Sequence, residues 1–165
     1  MNDVLKAIRM RRSVRRYTSA PVLREQIETI LEAGRFAPSG KNTQPWRFVV
    51  VESEAKRSEL ATLFPRQGLV AATPVTLAVL LDREAGYDEL KDVQGIGAAI
   101  ENILLAVHSL GLGACWMGKA CDKEIERFLG AREGEELMAI IPIGHPAEVP
   151  TPTPRLSLQE IARFI

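Results

Sequence analysis

The apolar positions fall into short periodic blocks separated by prolines, glycines and polar clusters. Val4, Leu5 and Ile8 recur at helical spacing and predict a short first helix, with Asp3 as its cap, ending at a run of arginines. Thr18-Ser19-Ala20-Pro21 breaks the chain. Leu23, Ile27, Ile30, Leu31 and Gly34 then mark one face of a second helix, with Arg24, Glu25, Glu28 and Glu32 largely opposite, and this helix stops by Pro38. Residues 46–51, Trp-Arg-Phe-Val-Val-Val, read as a strand from their β-branched and aromatic content. Residues 55–64 read as a helix and 65–73 as a loop. Residues 75–81 form a near-continuous apolar strand, which predicts that both its faces are covered.

Residues 82–92 are polar and predict an exposed excursion. Residues 97–110 form the most apolar helix, with hydrophobic side chains around nearly its whole circumference. A helix of that kind is buried, and a chain this short has few layers of its own to enclose it, so a dimer interface is expected to supply the rest. Glu101 and His108 lie seven residues apart on one face of it. They are expected to be satisfied separately rather than by each other. Residues 122–129 form a helix with Ile125, Phe128 and Leu129 as its apolar side, and 137–144 a further strand. Four prolines between 146 and 154 predict an extended arm ending at Arg155. Ser157 and Glu160 then form a capping box for a last short helix. The layout is one mixed α/β domain over 1–165 with about four strands, too irregular in its connections for an alternating βαβ array.

Composition narrows the partners. The 165 residues carry 21 Lys+Arg against 21 Asp+Glu. Zero net charge argues against a nucleic-acid binder, including one that would use the arginine run. No apolar run is long enough to span a bilayer, and the first residues lack a signal-peptide pattern, so the expected location is the cytoplasm. The two cysteines, Cys115 and Cys121, match no zinc or thioredoxin spacing and read as packed thiols; with only His108 and His145 besides, a metal site is not expected.

Against that neutral background Arg11-Arg12-Ser13-Val14-Arg15-Arg16-Tyr17 stands out as a local basic cluster. Guanidinium groups grip phosphate or carboxylate bidentately. Ala37-Pro38-Ser39-Gly40-Lys41-Asn42-Thr43-Gln44-Pro45-Trp46 is a second conspicuous stretch, stiff yet rich in neutral donors and acceptors. A third is Gly111-Leu112-Gly113-Ala114-Cys115-Trp116-Met117-Gly118. Here Gly111 is placed to end the long helix, and the glycines let backbone approach a flat ligand. Gly95-Ile96-Gly97 lacks the register of a dinucleotide fingerprint, which sets aside a Rossmann reading.

Taken in order, and together with Gly144-His145-Pro146 and Pro154-Arg155, these stretches resemble the FMN-dependent nitroreductase family over essentially the whole chain. The resemblance implies a three-layer α-β-α fold of the α+β class, an obligate homodimer, and FMN at the subunit interface. Arg11, Arg12 and Ser13 would hold the flavin phosphate and ribityl chain, with Arg155 as a second phosphate ligand. Arg15 would lie near the pyrimidine edge, where a cation stabilises reduced flavin. The loop carrying Pro38, Ser39, Gly40, Asn42 and Gln44 would come from the other subunit, and Trp116, Met117 and Gly118 would lie along the ring. Many relatives have a lysine where this chain has Thr153, so the phosphate grip is expected to be weaker or completed by another residue such as Arg16. The short 82–92 excursion implies a small lid.

The implied activity is a ping-pong transfer of electrons from NADH or NADPH through FMN to a nitroaromatic, quinone or similar acceptor, with no catalytic side chain named. A flavin-binding or flavin-handling protein with little NAD(P)H turnover is the alternative.

Overall fold

The computed structural model describes residues 2–64, 67–118 and 122–165. Helix α1 (Asp3–Met10) is capped by Asn2, whose side chain accepts from the Leu5 amide at 3.0 Å; Asp3, the expected cap, sits instead in the first turn. Helix α2 (Arg24–Arg35) buries Ile27, Ile30 and Gly34. A 3-10 turn at Gly40–Asn42 leads into strand β1 (Trp46–Val51). Helices α3 (Glu54–Thr62) and α4 (Gln67–Ala71) follow. Strand β2 (Val75–Asp82), helix α5 (Glu89–Ser109), strand β3 (Gly113–Ala114), helix α6 (Lys123–Leu129), strand β4 (Glu135–Gly144) and helix α7 (Leu158–Ile161) complete the order.

Among the described residues the strands form one four-stranded antiparallel sheet in the order β1-β2-β4-β3. Strand β2 is central, and its alternating side chains explain the unbroken apolar run. Val75, Leu77, Val79 and Leu81 point into a core shared with Ile27 and Ile30 of α2 and with Ile96, Ile100 and Ile103 of α5. Ala78 points the other way, into a second core with Leu60 and Ala61 of α3, Val70 of α4 and Ile125 of α6. The result is three layers, helices on both faces of the sheet, as the α+β expectation required. Gly34 lets α2 and α5 come close, since a Cβ there would stand 2.9 Å from the Ile103 side chain.

Three further expectations change. The 65–73 stretch contains α4, too short to show a period; Val70, fully buried, fastens it to the second core. The polar 82–92 stretch is not wholly an excursion, because α5 begins at Glu89, well before its apolar run. Asp88 caps it by accepting from the Lys91 amide at 3.0 Å. Asp92, buried inside the first turns, accepts from the amides of Tyr87 and Asp88 at 2.9 and 3.0 Å. Polar residues there are cap and anchor, which hydropathy alone reads as surface. The glycine-rich stretch after α5 is also more than a turn. Gly111 takes φ 73°, and Gly113–Ala114 then pairs with Gly144 and Ile143 as β3.

Beyond Asp92 and Gly95 in its first turns, α5 is buried within this chain along one apolar stripe, Ile96, Ala99, Ile100, Ile103, Leu104 and Val107. Ala98, Leu105, Ala106 and Leu110 remain half-buried. At the end of the chain, Ser157 and Glu160 form the expected capping contact, the carboxylate accepting from the Ser157 amide and hydroxyl at 2.8 Å each.

Candidate functional site

The basic stretch begins where α1 runs out of helix. Arg12 folds back, its Nη1 donating to the carbonyls of Arg9 and Arg11 at 2.7 and 2.8 Å, a cation on the negative end of the helix. The chain then runs extended beside β3. Ser13 bridges Ala114 in parallel, and the Val14 amide donates to the Ala114 carbonyl at 2.9 Å. Val14 is buried over Gly113. Tyr17 closes the segment by donating its hydroxyl to the Val14 carbonyl at 2.7 Å. Burial first, and then the neighbouring Cys115, raise the Tyr17 pKa far above its ordinary value, while Arg15 works in the opposite direction. The phenol therefore stays a neutral donor.

Pinning Val14 inward leaves its neighbours facing a groove. Arg9, Arg11, Arg12, Ser13 and Arg15 line one wall of a cavity of about 640 Å³, and the arm from Pro150 to Arg155 lines the other. The fold thus carries Arg155 to the Arg-Arg-Ser segment. Thr153 also faces this cavity, where its Oγ1 accepts from Arg155 Nη1 at 3.0 Å, so it holds the arginine in place of adding a charge. Arg16, the expected substitute for the missing lysine, lies elsewhere: it pairs with Glu148 at 3.4 Å and is not on the cavity wall. Arg9 is the additional cation.

No carboxylate lines the cavity among the described residues. Arg11 alone of its arginines approaches one, Glu101 of α5, and the buried Arg11 Nε has no hydrogen bond there. Five guanidinium groups on one cavity, only one of them ion-paired among the described residues and that to a carboxylate outside the wall, fit a dianionic phosphate. His108 sits nearby, in a smaller cavity of about 170 Å³ that Arg11 and Arg12 also line. Burial, then the charges of Arg11 and Arg12, lower its pKa.

The loop with Pro38, Ser39, Gly40, Asn42 and Gln44 does not border the arginine cavity of its own chain. It packs near the start of α5, where Pro38 and Ser39 face Gly95. Ser39 Oγ accepts from the Gln44 amide at 3.0 Å, and Lys41, Asn42 and Gln44 all take left-handed backbone, with φ 53°, 57° and 50°. Trp116 is 43% exposed and its ring reaches towards Gly97 of α5. The Met117 amide and carbonyl both bond Ile140, at 2.9 and 3.0 Å, and its side chain packs on the second core. Gly118 is exposed. Cys115 is buried, its Sγ 4.0 Å from the Trp116 carbonyl; Cys121 lies outside the described residues. Among the described residues no group of His, Cys, Asp and Glu is placed to hold a metal ion, and no helix is long and apolar enough to cross a membrane.

Two residues carry more than the sequence pattern assigned them. Glu101 meets Arg11 within this chain. Tyr87, inside the polar stretch, packs on Gly40. The only sequence signal for it was an aromatic residue just before a helix cap.

The helix–sheet–helix α+β fold, with a cavity lined by arginines and no carboxylate beside β3, narrows the class of protein. The chain belongs to the nitroreductase family, whose profile matches residues 8–71 and 62–145. A protein of Methanothermobacter thermautotrophicus, provisionally named an NADH dehydrogenase/NAD(P)H nitroreductase, is 37% identical over 90% of this chain and 80% of its own. The NADPH-flavin oxidoreductase of Vibrio harveyi is 30% identical over 94% of this chain and 71% of its own. Among solved structures, a provisionally assigned nitroreductase of Desulfovibrio desulfuricans in complex with FMN superposes with a TM-score of 0.87. It is 41% identical and covers 98% of this chain and 96% of its own.

Proposed function

We propose that this chain is a cytoplasmic flavin oxidoreductase, a single domain over 1–165 that works as a homodimer with FMN at the subunit interface. The observation that carries the reading is the acid-free cavity that gathers Arg11, Arg12, Ser13, Arg15 and Arg155. FMN, when bound there, supplies electron exchange between NAD(P)H and an acceptor such as a nitroaromatic or quinone, in ping-pong order. The V. harveyi relative solved with NAD+ supports a nicotinamide as reductant.

The protein's own part is binding and tuning. Arg11 and Arg155 hold the phosphate through charge-assisted bonds, with Arg12 and Ser13 on the phosphate and ribityl side. Arg15, its Nη1 3.3 Å from the Ser13 carbonyl, sets a cation beside the pyrimidine edge and so favours the reduced, negatively charged flavin. Pro38, Ser39, Gly40, Asn42 and Gln44 come from the other subunit. That assignment agrees with their distance from the cavity wall of their own chain and with the half-covered α5. Trp116, Met117 and Gly118 flank the ring; with the Met117 backbone groups taken by Ile140, its contribution is contact and not a hydrogen bond.

An absorption spectrum of the purified protein, followed by anaerobic addition of NADH or NADPH, tests this directly. A flavin spectrum that bleaches is the expected result. Bound flavin that neither nicotinamide bleaches would favour a flavin-handling role. Failure to take up FMN in excess would return the arginines to solvent.

A further inference from the structure

The segment between β2 and α5 delivers one aromatic side chain, Tyr87, onto the loop that carries Ser39 and Gly40. The Tyr87 ring edge and hydroxyl occupy the space that a Cβ at Gly40 would need, so the two meet only because residue 40 is glycine. Tyr87 is anchored from behind, its amide donating to the buried Asp92 carboxylate at 2.9 Å. Lys41 then places Nζ over the ring, 4.5 Å from its centroid, within cation–π range. Among the described residues no carboxylate pairs with Lys41.

A lysine that only needs solvation requires no special backbone. Lys41 and its neighbours Asn42 and Gln44 nevertheless hold left-handed φ, and such backbone persists where surrounding contacts fix it, most often at ligand sites. The loop therefore presents an exposed cation without a carboxylate partner, set over a phenol that is 40% exposed. A cation beside an aromatic surface matches a ligand that is itself aromatic and carries a negative charge.

We infer that Lys41 and Tyr87 form the acceptor-recognition pair of this enzyme, selecting aromatic acceptors that bear a carboxylate or sulfonate. The inference rests on the proposal that the loop borders the flavin. The anionic substituent takes the charge of Lys41, and the acceptor ring contacts the exposed part of Tyr87.

The test uses FMN-loaded protein and two near-isosteric probe pairs that differ chiefly in charge, with each variant compared to wild type on the same pair. Benzoate and benzamide are titrated against the oxidised protein, following the flavin absorption band. Reduction of 4-nitrobenzoate and 4-nitrobenzamide is then compared as a ratio of kcat/KM. The expected preference for the anionic member is about five- to ten-fold at low salt, shrinking as salt screens the cation. Lys41→Met should abolish it and Lys41→Arg restore it, with the FMN content of each variant measured separately. Equal binding of benzoate and benzamide, or a preference that survives Lys41→Met, overturns the inference. A Lys41→Met defect confined to the KM for NADPH would assign the cation to the reductant and overturn it as well. If no FMN is taken up, the flavin reading fails and this inference with it; if FMN binds and the preference is absent, this inference fails alone.

Discussion

Arg11 Nε lies 3.3 Å from Glu101 Oε1, joining the basic stretch to the middle of α5. Glu101 stands outside the cavity wall, so under the proposed function it would orient the guanidinium without placing a negative charge in the phosphate site. Removing it with Glu101→Ala should free Arg11 to rotate and weaken FMN binding about five- to ten-fold, on the order of 1 kcal/mol. Riboflavin, which lacks the phosphate, should bind as before, and Glu101→Gln should keep most of the FMN affinity. Fluorescence titration of both flavins reads the difference. Tighter FMN binding in Glu101→Ala would mean that the carboxylate competes for Arg11 instead of positioning it.

The cavity wall separates the arginines proposed to bind FMN from Arg16, which stands outside it. If Arg11 and Arg155 hold the phosphate as proposed, Arg11→Ala and Arg155→Ala should each remove a charge-assisted contact of roughly 1.5–3 kcal/mol, and FMN affinity should fall about 10- to 100-fold. Arg16→Ala should leave it nearly unchanged, because Arg16 is paired with Glu148 outside the cavity. Equilibrium dialysis with FMN compares the three. A loss in Arg16→Ala as large as in Arg11→Ala would refute the assignment of the wall.

His108 ties the same arginines to pH. Burial and the charges of Arg11 and Arg12 lower its pKa below the ordinary 6.5, so the fold favours the neutral ring. That contribution is complete above the unfolded value and is lost as pH falls through the lowered one. The urea midpoint of the wild type minus that of His108→Gln should therefore decline as pH is taken from about 8 to 5. Adding FMN should flatten the decline, since its phosphate offsets the arginine charges. A difference independent of pH would exclude His108 as the titrating group.

Much of the fold was legible because periodicity reports burial. The alternating and continuous apolar runs of residues 46–51, 75–81 and 137–144 mark strands of the sheet, and the stripes of α2 and α5 mark its helical cover. What stayed illegible was set by local hydrogen bonds and by contacts distant in sequence. Asp92 looks like surface until its carboxylate is seen accepting from Tyr87 and Asp88. Asn2 and Asp3 are chemically equivalent caps, and only the register of the first turn chooses between them. For the candidate site, the arginine motif and Arg155 were visible as residue types, but their meeting depends on the path of the proline-rich arm. The exclusion of Arg16 depends on Glu148, which no spacing rule singles out.

The turn before α5 is predicted to be an independent stability determinant. Asp92→Ala would leave the Tyr87 and Asp88 amides without their acceptor, at a cost of about 2–3 kcal/mol. Asp92→Asn keeps an oxygen there and should lose less. Urea denaturation ranks the two, and equal stability of Asp92→Ala and wild type would contradict the anchoring role.

Gly113 offers the sharpest test of how the sheet edge shapes the arginine motif. A Cβ at this position would stand 2.7 Å from Val14 Cβ and Cγ2, and Val14 is 5% exposed with nowhere to retreat. Its β-branched side chain has few rotamers to offer in relief. Gly113 is also held from its other side by pairing with Gly144, so the strand cannot simply step away. Gly113→Ala must then push Val14 outward and strain the hydrogen bond that the Val14 amide donates to the Ala114 carbonyl, displacing Ser13 and Arg15 on either side. Overpacking of this kind costs about 1–3 kcal/mol, which for a chain of this size lowers Tm by roughly 3–9 °C. FMN affinity should fall along with it. Val14→Ala opens the same space, so the double variant should be more stable than the sum of the two single losses allows, a coupling that a double-mutant cycle measures. Additive losses would show that the two residues do not meet as described, and that the motif is placed by something other than β3.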